Sequence, residues 1–134
     1  MLDYQFTYRD DARRFEVVTL PFQEFAALNV ALGLFHEVGA SVAAARVALH
    51  VNRIFSWVEA HPTMRVVSSP EPSRRSGIVA VVPPDPARAS AALWEAGVAH
   101  SLREGAIRLS PHWFTPAEHV TYALDVLDRV MDAW

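Results

Sequence analysis

The chain has no lysine and no cysteine. Its 134 residues carry 12 basic side chains, and the arginines, from Arg9 to Arg129, account for all 12. Without lysine there is no side-chain amine to form a Schiff base with a carbonyl compound. Without cysteine there is no disulfide, no thiolate nucleophile and no thiolate metal site. Long apolar runs are missing too: none approaches the roughly 18 residues of a membrane span. The arginines form no basic stripe and the net charge is −3, which argues against nucleic-acid binding. The histidines show neither H-x-x-x-H nor H-E-x-x-H spacing, and no G-x-S-x-G occurs, so the sequence supports neither a metal site nor a serine triad. His112 and His119 flank the start of the last expected helix and are, with His100, the only histidines placed to converge. The beginning, Met1-Leu2-Asp3-Tyr4, is polar and acidic and does not read as a secretion signal. The expectation is a cytoplasmic protein with no membrane contact.

What is present is apolar: 51% of residues are hydrophobic and 20% charged. That composition and length suit a domain with a real core. Residues 1–21 lack a helical period and read as extended or irregular, with a charged patch from Arg9 to Arg14; Arg14 and Glu16 read as solvated charges, with a polar cluster as the alternative. A helix is expected to follow Pro21 and to end before Gly39, a C′ glycine. Phe22, Phe25, Leu28, Leu32 and Phe35 line one side of it, and Ala26, Val30, Ala31, Leu34 and Val38 much of the rest, the pattern of a buried helix. Ser41 is placed to cap a second helix to about Ala60, with Val47, Val51, Ile54 and Val58 as its stripe and Arg46, His50 and Arg53 opposite. Strands are expected at Arg65–Val67, Ile78–Val82, Val98–Ser101 and Ala106–Ser110. The second, apolar on both faces, belongs at the centre of a sheet. Asp85 and Pro86 open a third helix, which Gly97 closes. Thr115-Pro116-Ala117-Glu118 has the form of a capping box for the last helix. Its apolar stripe is Val120, Leu124, Leu127, Met131 and Trp134, and Thr121, Asp125, Asp128 and Asp132 make its wet face.

The order α-α-β-β-α-β-β-α predicts an α/β protein of the α+β, two-layer sandwich type. A small antiparallel or mixed sheet carries helices on one face and is preceded by two long helices. The expected organisation is residues 1–61, an extended segment and two helices, followed by residues 62–134, the sandwich.

Three segments carry a resemblance. Arg14-Phe15-Glu16 with Thr19 is similar to the R-F-E-x-x-T segment of class V aminotransferases, the group that includes cysteine desulfurases and kynureninase-like enzymes. Arg75-Ser76-Gly77-Ile78-Val79 resembles their R-S-G-I-V strand. Ser101 to His112, SLREGAIRLSPH, resembles their S-x-R-x-G-x-[IV]-R-[IL]-S-P-H segment. The matches come in family order and cover most of the chain. They correspond to the C-terminal third of such enzymes, the small domain with its connecting helices. The resemblance implies that the pyridoxal-phosphate lysine and the large domain that houses it belong to sequence outside this chain.

The alternation of strand side chains places Arg108 opposite Ile107 and Leu109, and a guanidinium there is suited to a bidentate grip on a carboxylate. The resemblance implies the α-carboxylate of an amino-acid substrate for Arg108, with Arg103 beside it, and cofactor phosphate for Thr19. Val18 stands where many relatives have glycine. His112 is the candidate proton-transfer residue. The family's H-x-Y-N-T continuation is altered here to His112-Trp113-Phe114-Thr115-Pro116. The expected function is that of a truncated class V aminotransferase-like protein, not a pyridoxal-phosphate catalyst alone, that complements a large-domain partner chain through residues 22–60. No cofactor is bound covalently, and pyridoxal phosphate enters only if shared with the partner. The alternative is a stand-alone homodimer repurposed as a pyridoxal-phosphate-independent enzyme or sensor for a carboxylate-bearing small molecule.

Overall fold

The computed structural model describes residues 7–16 and 19–132. They fall into two compact units, Met1–Glu37 and Val38–Trp134. In the first, a 3-10 turn spans Ala12–Phe15. The Asp11 carboxylate accepts from the Arg13 amide at 3.0 Å and from its guanidinium at 2.8 and 2.6 Å. Those two contacts, the guanidinium first, hold the Asp11 carboxyl below its ordinary pKa. Arg14 turns to the carbonyls of Asp11 and Asp10, at 3.3 and 3.2 Å, and makes no cluster with Glu16. Helix α1, Phe22–Val38, ends at Gly39, whose φ of +85° breaks the helix without a Cβ clash. No residue of α1 is buried. The apolar surface that suggested a buried helix is open among the described residues: Phe22 is 70% exposed and Leu28 50%.

The second unit is built on a four-stranded antiparallel sheet. Its strands are β1 (Arg65–Val66), β2 (Val79–Val82), β3 (Ser101–Arg103) and β4 (Ala106–Leu109), in the order β1-β2-β4-β3. β2 therefore lies inside the sheet, as its two apolar faces require. Val79, Val81, Ile107 and Leu109 are buried on one face. Against them pack Val51, Ile54 and Phe55 of α2 (Ala40–Glu59), Leu93 of α3 (Pro86–Glu95), and Leu124 and Leu127 of α4 (Ala117–Asp132). Helix α2 lies on β1, β2 and α4, and α3 on β3, β4 and α4. This is the expected α+β two-layer sandwich with two long helices on its N-terminal side. The unit boundary falls before α2 and not near residue 61, because the stripe of α2 is used on the sheet.

Local chemistry sets the element ends. Helix α2 begins at Gly39, whose carbonyl accepts the Ala43 amide at 3.0 Å, so Ser41 lies inside the helix and does not cap it. Asp85 caps α3 by accepting from the Arg88 amide at 3.0 Å, with Pro86 at N1. At the other end the Gly97 amide donates to the Trp94 carbonyl and the Val98 amide to the Leu93 carbonyl, a Schellman closure around Gly97 at φ +73°. That closure uses Val98, so β3 starts only at Ser101. Glu104 and Gly105, at φ +50° and +76°, make the two-residue hairpin turn into β4. The Thr115 hydroxyl accepts from the His112 amide at 2.8 Å, and the Thr115 amide donates back to the His112 carbonyl at 3.0 Å. Thr115 thus closes the loop before α4 and does not form the expected capping box. Trp134, expected to extend the α4 stripe, lies outside the described residues.

Candidate functional site

Arg108 lies on the sheet face opposite the core. Strand register defines two rows there: Arg65, Val82, Ala106 and Arg103, then Ala80, Arg108 and Ser101. Arg103 pairs with Ala106, two residues from Arg108, so the two arginines are diagonal neighbours on adjacent strands, about 7–8 Å apart. Arg65 stands two strands away from Arg108, across β2. Arg108 is half-buried, and among the described residues neither its guanidinium nor that of Arg65 or Arg103 has an ion-pair or hydrogen-bond partner. Between them lie the short side chains of Ala80, Ala106 and Ser101. The arrangement is a shallow cationic surface with guanidinium groups free to bind carboxylates.

The other expected residues are placed elsewhere. His112 is exposed, with its ring 4.1 Å from Phe114 and 5.5 Å from Trp113. No described contact ties it to Arg108. Thr19 is exposed, in the first unit, and its hydroxyl has no partner among the described residues. The chain has no lysine to anchor pyridoxal phosphate covalently. Arg75, from the second matched segment, has a local structural role. Its guanidinium lies 3.8 Å from the Phe55 ring centroid, donates to the Asn52 side chain at 2.9 Å and reaches the carbonyls of Ser69 and Pro70. It fastens the loop after β1 to α2.

Two histidines form polar links. The Val98 carbonyl can only accept, so His100 carries its proton on Nδ1 at 2.9 Å from it, and Nε2 accepts from the Ser90 hydroxyl at 2.7 Å. Ser90 is buried and the His100 ring lies 4.8 Å from Trp94. The pair joins α3 to the start of β3. On the other side, Asp128 accepts from the Trp57 indole at 2.8 Å and lies 3.1 Å from His61 Nε2. His61 Nδ1 donates to the Trp57 carbonyl at 2.6 Å. Asp128 was expected on the wet face of α4; it is half-buried because α2 ends against it. Among the described residues no group of three histidine or carboxylate side chains converges as a metal site. No single described helix is long and apolar enough to cross a membrane.

Two cavities flank the start of α4. One, of about 440 Å³, lies between the α3–β3 connection, the end of β4 and α4, and includes Leu109, Ser110, His119 and Tyr122. The other, of about 310 Å³, is a slot between α2 and the loop before α4, lined by Arg46, Leu49, His50, Trp113, Phe114 and Pro116. His50 was expected opposite the apolar stripe, yet it is only 8% exposed. The signal was available: His50 is three residues after Val47 and four before Ile54, which places it on their face of the helix. No family model matches the chain, and no curated protein matches it.

Proposed function

We propose that this chain supplies a class V aminotransferase-like small domain, whose Arg108 grips the carboxylate of a small molecule, to a partner chain bearing the large domain and its lysine. The reading rests on one observation above all: a half-buried, unpaired arginine on an inner strand, at the position of the SLREGAIRLSPH segment that carries the resemblance. Arg103 is the diagonal neighbour that reinforces the grip. His112, exposed and tilted against the Trp113 and Phe114 rings, is the proton-transfer residue once the partner's surface orders it. Within residues 22–60, the stripe of α2 is used on the sheet, so α1 is the apolar surface left for the partner. Any pyridoxal phosphate is held by the partner's residues, because this chain supplies no covalent anchor.

Isolation of the tagged chain from its own cells, with identification of what accompanies it, tests this reading. The expected companion carries a large domain with a Schiff-base lysine, and the complex shows the visible absorbance of bound pyridoxal phosphate. Arg108→Ala should then preserve the complex and abolish turnover of its carboxylate substrate. A chain recovered alone as a homodimer, binding a carboxylate through Arg108 without added cofactor, would replace the reading by the stand-alone enzyme or sensor.

A further inference from the structure

The slot between α2 and the 112–116 loop has features that neither the sandwich core nor the Arg108 surface uses. His50 is more than nine-tenths buried, lines the slot and has no hydrogen-bond partner among the described residues. Its ring nitrogens keep some accessible surface, and the residue lines the slot. Arg46 stands one helical turn before His50, on the same side of α2, and has no partner among the described residues. The lining contains no carboxylate. The opposite wall is aromatic: Trp113 and Phe114 meet edge to face at 5.3 Å, and the His112 ring lies against Phe114. Pro116, just before α4, completes that side of the slot.

We propose that this slot binds a small carboxylate with a planar apolar body, its carboxylate held by Arg46 and His50 and its flat part against Trp113 and Phe114. The volume, about 310 Å³, is at the small end of ligand sites and suits one ring and its acid group. The aromatic walls favour a flat body over a branched one by stacking. An arginine with no carboxylate in the lining favours an anion over a neutral amide. The site is separate from the Arg108 surface, and neither requires the other.

Benzoate and its neutral analogue benzamide are the probes, titrated into the full chain and followed by heteronuclear NMR of the Trp113 indole, assigned with Trp113→Phe, and of the His50 imidazole. Benzoate is expected to shift both signals saturably, with a dissociation constant of about 1 mM or tighter. Benzamide and the Arg46→Gln variant should each weaken binding by about tenfold, the loss of one charge-assisted pair. His50→Gln should weaken it while Arg108→Ala leaves it unchanged, which separates this site from the proposed function. Because Arg46 is exposed, its variant keeps the test intact even if His50→Gln perturbs the fold. Equal affinity for benzamide, shifts confined to signals near Arg108, or no saturable shift would each overturn the proposal.

Discussion

Asp128 is the side chain on which the polar contacts between α2 and α4 meet. It accepts from Trp57 at 2.8 Å and faces His61 at 3.1 Å, while Trp57 itself packs against the core. Removing the carboxylate leaves the indole N–H without its acceptor in a part-buried place. Asp128→Ala is therefore expected to lower unfolding stability by about 1–3 kcal/mol, read by urea denaturation. Trp57→Phe and the double variant complete a cycle; a coupling of about 0.5 kcal/mol or more is expected for residues sharing one bond. Zero coupling would mean the contact does not contribute. Asp128 was not legible as a partner. The spacing of Thr121, Asp125, Asp128 and Asp132 makes a plausible wet face, and only the end of α2 lying beside α4 turns one of those carboxylates inward. His50 is the converse: its distance from Val47 and Ile54 marked its face, but its polarity argued for solvent.

Among the elements, the ends are where glycine and the short polar side chains act. The β3–β4 hairpin depends on positive φ at both turn residues, and Gly105 holds the larger, +76°. Open space surrounds the place where its Cβ would be, so Gly105→Ala tests the backbone alone. Its expected cost is about 1–2 kcal/mol from the left-handed conformation, measurable as a drop in melting temperature. No change would show that the turn relaxes to another form. At the start of α3, Asp85→Ala should cost about 1 kcal/mol through loss of the cap on the Arg88 amide, and Asp85→Asn should restore most of it. Helix positions, the inner placement of β2 and the α3 cap were readable because each follows from residues within one turn of one another. The ends that misled were those where a backbone group had a second offer. Gly39 displaced Ser41 as the start of α2, Thr115 turned back to His112, and Val98 went to the Schellman closure and not to a strand.

At the scale of the molecule, α1 is the surface left uncovered among the described residues. Apolar side chains cover most of its circumference, and none is buried. Each fully covered leucine or phenylalanine would contribute about 1.5–3 kcal/mol, so association through α1 is the expected state of the isolated chain. Light scattering should show a species larger than a monomer. Leu28→Arg with Leu32→Arg should reduce it to a monomer while the sandwich retains its thermal transition. A wild-type chain that is already monomeric would refute the role of α1. The sequence by itself determined the α+β class, the element order and the face of β4 from which Arg108 projects, because strand alternation, helical period and caps are local properties. It also determined that no lysine amine or thiolate in this chain performs chemistry. Only the tertiary structure decided that α2 belongs with the sheet, that Asp128 and His50 turn inward and that Arg65 and Arg103 share a face with Arg108. These depend on which elements become neighbours, and that is set by how residues far apart in the chain fill one core.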